Sequence, residues 1–217
     1  MTIDEWLKAD RPWNVILHGD CMELMQYLKD KSINLACVDP PYGIKRLNNG
    51  SGWLERYGNT GEWNNKKPDQ NYFNELFRIS KYQIVWGANN FEMPPTEYFI
   101  IWDKLQFYPN MARGEYAWTN IKKTCNFFEC RFGSEKYRIH PTQKPIALYR
   151  WLLQNYAKPG DKIIDTHSGS GSLACAAWLE GFDFLAIEKD SDYWKSSVNR
   201  YNDLISQGRL FDPNELS

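Results

Sequence analysis

"IIDTHSGSGSLACAAW", residues 163–178, sets a short apolar run against two glycines, Gly169 and Gly171, and then against an alanine-rich segment. The order reads as strand, tight turn, helix. A second apolar run, "FDFLAIE", follows and ends on Glu188. Glycines in such a turn let the backbone approach a ligand closely, and an acid about twenty residues on can hold ribose hydroxyls. A plain strand-to-helix turn would use the same glycines. The third glycine of the dinucleotide fingerprint is missing and no P-loop lysine follows. The turn therefore suits a nucleoside-bearing ligand better than NAD or ATP.

The same alternation extends upstream. "WNVILHGD" and "INLACVD" read as strands, separated by "CMELMQYLKDKS" with apolar residues at helical spacing. "YFNELFRISK" has helix spacing, and "YQIVWG" and "EYFIIWD" read as further strands. "PIALYRWLLQNYA" is an amphipathic helix opened by Pro145, and "DSDYWKSSVNRYNDLIS" is the last helix. Strands alternating with helices predict an α/β fold, a mostly parallel, doubly wound sheet covered on both faces. The 217 residues are enough for one such domain. Residues 40–70 have no period and read as a long loop of the kind that is usually functional. Residues 104–139 are basic and aromatic, again without a period, and are expected to be a small insertion.

A net charge of −1 announces no polyanionic partner, although a basic face on a neutral protein can still bind one. The 10 Trp, 13 Tyr and 11 Phe exceed ordinary core needs, so some rings are candidate stacking surfaces. The N-terminus lacks a signal-like apolar region and no run reaches membrane-spanning length. Five scattered cysteines read as reduced thiols of a cytosolic protein. Cys125 and Cys130 have no second pair or nearby histidine to make a zinc site, so no metal is expected.

Three stretches belong together: "DPPYG" at 39–43, "HPTQKP" at 140–145 and "DTHSGSGS" at 165–172. In this order they resemble the DNA methyltransferases that modify adenine N6 or cytosine N4, in the permuted β arrangement with the catalytic motif first. "VWGANNF" and "EYAWTN" are also similar to segments of small phage-type members. The resemblance implies a Rossmann-like methyltransferase fold over residues 1–217, S-adenosylmethionine as cofactor and double-stranded DNA as substrate.

It also assigns roles. Asp39 and the Pro40 carbonyl would accept the two hydrogens of the target amine, on a segment stiffened by Pro40 and Pro41, with Tyr42 stacking on the base. The base must be flipped out of the duplex to arrive there. Asp20, with Cys21 beside it, would lie near the cofactor adenine, although a helix cap explains Asp20 equally simply. Glu188, followed by Lys189, would hold the ribose. His140, Thr142, Gln143 and Lys144 would hold the methionine end, and Asp165, His167, Ser168, Gly169, Ser170, Gly171 and Ser172 would form the turn around the cofactor, with Asp39 facing it. The family usually has Asp-Pro-Phe before the glycines, and here it is Asp165-Thr166-His167. The departure leaves open whether His167 packs by the cofactor or hydrogen-bonds it.

Lys45 and Arg46 in the first loop, and Lys122, Lys123, Arg131, Lys136 and Arg138 in the second, are the candidate DNA contacts. The resemblance makes the 104–139 insertion the target-recognition segment, and so short a reader implies a short recognition sequence or a homodimer sharing the work. The Asp of DPPY favours adenine, since cytosine enzymes more often begin the motif with Ser. Cytosine N4 is the alternative, and a non-catalytic DNA-binding module on the same fold is the alternative of another class. "QGRLF", Gln207 to Phe211, has the spacing of a bacterial sliding-clamp ligand, against the simpler reading of a frayed helix end. The expected location is the cytoplasm of a bacterium or a phage-infected host.

Overall fold

The structure, a computed structural model, describes residues 1–43, 66–107, 112–131, 135 and 138–208. Lys45, Arg46 and Lys136, and the Leu210–Phe211 part of the clamp-like segment, lie outside the described residues.

Eight strands form one sheet: β1 (Val15–His18), β2 (Ile33–Val38), β3 (Ser80–Trp86), β4 (Phe99–Asp103), β5 (Gly114–Thr119), β6 (Asn126–Glu129), β7 (Lys162–Asp165) and β8 (Asp183–Glu188). Their order is β1-β8-β7-β2-β3-β5-β4-β6, and β5 runs antiparallel to both its neighbours while the other pairings are parallel. The helices are α1 (Ile3–Lys8), α2 (Cys21–Met25), α3 (Gln70–Ile79), α4 (Ile146–Tyr156), α5 (Ser172–Leu179) and α6 (Ser191–Ser206).

Continuous apolar strands are what a sheet buried on both faces requires, and side chains then alternate between two cores. Ile16, Leu35, Cys37, Ile84, Trp86, Ile163 and Ala186 point to the side of α4, α5 and α6. Leu17, Ala36, Val38, Val85, Ile164, Leu185 and Ile187 point to the side of α1, α2 and α3. Each fully buried aliphatic chain contributes about 1.5–3 kcal/mol of apolar transfer. The expected α/β, doubly wound architecture is what forms.

Residues 104–139, expected as a small insertion within the domain, supply strands β5 and β6 to the sheet. Helix α1, which the periodicity did not announce, is closed by a capping box in which Thr2 Oγ1 accepts from the Glu5 amide and Glu5 accepts from the Thr2 amide.

Candidate active site

The sheet changes winding direction between β7 and β2, which lie side by side through Leu35–Ile163 and Ala36–Ile164. From β7 the chain steps out to β8, and from β2 it steps the other way to β3. Such a switch point opens a crevice beyond the carboxyl ends of the strands. Here the crevice is a cleft of about 860 Å³. The expected catalytic and cofactor residues all line it except Asp165 and Gly171, which are buried in the turn.

The Gly-rich turn leaves β7 at Asp165. Gly169 and Gly171 have φ of +50° and +72°, a region in which side chains are strained. A Cβ on Gly171 would also come 3.1 Å from Ser197 Cβ on α6. The Gly169 amide donates to Glu188 Oε2 at 2.8 Å, and the Asp190 amide donates to Oε1 at 2.9 Å, so the acid at the end of β8 is held by backbone. Burial pushes the Glu188 carboxyl above its ordinary range. Ser168 Oγ is buried, with no hydrogen-bond partner among the described residues. A buried hydroxyl in that condition, on the wall of a cleft, suits a polar ligand.

Asp165 accepts the His167 amide at 3.1 Å. Its carboxyl is pushed up to about 8, chiefly by burial, against the His167 amide and with the charges of Asp39 and Glu188 adding to the rise. His167 is pushed down to about 4 by burial and is therefore neutral near pH 7. Its Nδ1 lies 3.0 Å from Thr166 Oγ1, which lies 2.6 Å from the Tyr72 hydroxyl. The Tyr72 ring also meets the imidazole edge-on at 5.2 Å. The Thr-His pair thus gives this turn a hydrogen-bonded chain to α3.

At the end of β2, Asp39 receives the Tyr42 hydroxyl on Oδ1 at 2.6 Å and the Lys144 ammonium on Oδ2. Tyr42 has room because Gly87 follows β3: a Cβ there would sit 2.1 Å from Tyr42 Cε1. The ring is also edge-on to Phe91 at 6.1 Å. Lys144, expected at the methionine end of a cofactor, lines the cleft and is paired with Asp39 and with Glu115, whose Oε2 lies 3.0 Å from Nζ. Burial opposes the Lys144 charge, yet Asp39 and Glu115 hold its pKa above the ordinary value.

The remaining HPTQKP residues are tied to the protein. His140 Nδ1 meets the Thr142 amide and hydroxyl, and its ring packs 4.3 Å from Tyr193. Gln143 accepts the Ile139 amide and donates to Glu135. Glu135 also takes the Ile146 amide, at the start of α4, and pairs with Arg200 at 2.6 Å. Arg200 donates onward to the Ser170 carbonyl and Ser172 Oγ, which itself donates to the Lys144 carbonyl. The motif and the turn are thereby bolted together.

Asp20 is both a cap and a pair: Oδ1 accepts the Met22 amide and Oδ2 the Lys189 ammonium, each at 2.9 Å. Burial works against its charge, but Lys189 and that amide lower its pKa. Burial pushes the Cys21 thiol up to about 12, so it is no nucleophile.

Among the described residues, the candidate DNA contacts Lys122 and Lys123 lie apart from Arg138. Because β5 runs antiparallel, the turn after it falls at the opposite edge of the sheet, where Asn120 bonds Gln83 and Lys81 near the start of β3. Lys122 lines a groove there, and Lys123 donates to the Asn155 carbonyl over the Tyr156 ring. Arg131 follows the outermost strand β6 and is exposed, while Arg138 donates to the Pro141 carbonyl. Glu115, Gly87, Thr166 and Tyr72 escaped the sequence reading. The signals for the first two were an acid opening the aromatic strand "EYAW" and a glycine directly after "IVW".

A family model described as DNA methylase, of the N6/N4 group, matches residues 96–199. The type II methyltransferase M2.MboI of Moraxella bovis is 21% identical over 94% of this chain and 93% of its own length. The DNA adenine methyltransferase YhdJ of Escherichia coli K12 is 35% identical, over 35% of this chain and 26% of its own. Among solved structures, the M1.HpyAVI–SAM complex superposes with TM-score 0.57 at 20% identity, over 86% of this chain and 98% of that one. The cytosine-N4-specific PvuII DNA methyltransferase does so with TM-score 0.59 at 14% identity, over 88% and 91%. At these identities the structural likenesses speak for the fold.

Proposed function

Since the chain belongs to the N6/N4 DNA methylase family, we propose that it transfers a methyl group from S-adenosylmethionine to the N6 amine of an adenine turned out of duplex DNA. The observation that carries this reading is the meeting of Asp39 and Pro40, at the end of β2, with the Gly-rich turn at the end of β7 in one cleft.

The residues present fit the cofactor. Glu188 and Asp20, at neighbouring strand ends, suit its ribose and adenine, and the unpaired Ser168 hydroxyl awaits a polar partner among groups of that size. With Lys144 committed to Asp39 and Glu115, the methionine end falls to His140, Thr142 and the Ser168–Ser170 turn. When bound, S-adenosylmethionine supplies a methyl already activated on a sulfonium.

The protein's own contribution is acceptance and positioning. The adenine amine is a poor nucleophile because its lone pair is delocalised into the ring. Asp39 and the Pro40 carbonyl draw its two hydrogens, which frees the lone pair to point at the methyl. Prolines keep those acceptors fixed and bring no competing N–H. Tyr42, with its ring against Gly87, orients Asp39 through its hydroxyl as well as offering a ring edge to the cleft. A base still stacked in a duplex cannot reach these groups, so turning it out is part of the reading. The YhdJ likeness favours adenine, as does the Asp that opens DPPY, and cytosine N4 is the alternative.

Digesting DNA methylated by the purified protein to nucleosides tests this. N6-methyladenine is the expected product. N4-methylcytosine would select the second reading, and no methylated base would overturn both.

A further inference from the structure

We propose that Glu115 is a positioning residue for methyl transfer: it shares the Lys144 ammonium with Asp39 and thereby fixes where the Asp39 carboxylate stands. The proposal rests on the function inferred above and adds to it a residue from a strand that carries none of the three motifs.

Four side chains alternate in charge, and Asp39, Lys144 and Glu115 among them line the cleft. Lys104 Nζ lies 2.5 Å from Glu115 Oε1, Glu115 Oε2 lies 3.0 Å from Lys144 Nζ, and Lys144 reaches Asp39 Oδ2. They come from four places: the end of β4, strand β5, the segment before α4 and the end of β2. The antiparallel β5, set between β3 and β4, is what carries Glu115 to this side. Lys144 is 3% exposed at its side chain, and its ammonium also lies over the Trp86 ring at 5.5 Å. Glu115 is itself held ionised: burial raises its pKa, but Lys144 and Lys104 bring it below the ordinary range.

An ammonium pinned by two carboxylates and a ring has one place to stand. Without Glu115 it would lose the contact that fixes its place opposite Asp39, and the pair would shift together. Buried charges respond strongly to such a loss because no water replaces the missing partner. The consequence falls on the reaction, since Asp39 must present one oxygen to the target amine while Tyr42 and Lys144 hold the carboxylate. Glu115 anchors the ammonium that in turn holds Asp39 in place.

The test is methyl transfer to unmethylated plasmid DNA by Glu115→Gln, with cofactor affinity measured separately by calorimetry. The expected kcat is about a hundredfold below wild type, with the DNA KM and cofactor Kd within about threefold. Lys104→Met/Glu115→Gln removes one charge of each sign and keeps the local balance. It is expected to remain as slow, because Lys144 has still lost its second anchor, and it carries the test if the single variant does not fold. A folded variant with the wild-type kcat overturns the proposal. So does recovery in the double variant, which would reduce Glu115 to a counter-charge. Wild-type protein that methylates no DNA would instead overturn the functional reading, before any variant is made.

Discussion

Asp39 and Asp165 end neighbouring strands of one sheet, and the protein treats them oppositely. Asp39 sits between a tyrosine hydroxyl and a lysine ammonium, at one end of a chain of alternating charges. Asp165 is buried, accepts a backbone amide, and has its carboxyl pushed up to about 8. Strand position places both at the switch point, but surroundings decide their chemistry. The wired acid can act as an oriented acceptor. The neutral one fixes the turn, as a proton-bearing anchor for the His167 amide.

The largest effect is expected from the wired acid. Asp39→Ala should lower methyl transfer at least about a thousandfold while cofactor binding stays measurable, read by tritiated-methyl incorporation and calorimetry. Transfer at the wild-type rate would break the contrast at its root. Next comes Gly87→Ala, which puts a methyl where the Tyr42 ring stands, 2.1 Å from Cε1, and at a φ of +63°. The ring must leave, taking its hydroxyl from Asp39. The expected kcat is about ten- to a hundredfold down, with a lower melting temperature. An unchanged kcat in folded protein would show that the tyrosine's hold on Asp39 is dispensable.

The same contrast explains what was legible in the sequence. DPPYG and the Gly-rich turn could be read because their demands fall on consecutive residues: a strand end, a stiff pair of prolines, glycines at positive φ. The strand–helix alternation gave the α/β class for the same local reason. The wiring of Asp39 was not legible, since Glu115 and Lys144 meet only when β5 enters the sheet antiparallel. That one strand direction also carries Lys122 and Lys123 to the far edge, although composition groups them with Arg131. The contact of His167 Nδ1 with Thr166 was not legible either, because it is completed by Tyr72 arriving from α3.

Asp165 offers a smaller, pH-dependent test. Its pKa is raised from 3.8 to about 8 in the folded state, so between those values the native protein binds more protons than the unfolded chain. The stability it contributes is complete below about pH 4 and is lost as pH rises toward 8. Asp165→Asn imitates the protonated acid and should flatten that slope. Thermal melts should coincide with wild type near pH 4 and run above it toward pH 8, the gap widening as pH rises. Equal slopes in both proteins would place Asp165 with the ordinary ionised carboxylates and remove the contrast with Asp39.

The smallest effect belongs to a third strand-end acid. Asp20 is paired with Lys189 at 2.9 Å, the geometry of a good ion pair, but the lysine side chain is 79% exposed and water screens it. Lys189→Ala should change stability by less than about 0.5 kcal/mol, since exposed pairs contribute little and Asp20 keeps the Met22 amide as its cap. Denaturant melts at low and high salt check this. A cost as large as that of breaking the Lys144 pair would mean that burial is not what separates the wired acid from the solvated one. The difference between Asp39 and Asp20 would then need a cause other than solvent, because the two pairings are chemically the same.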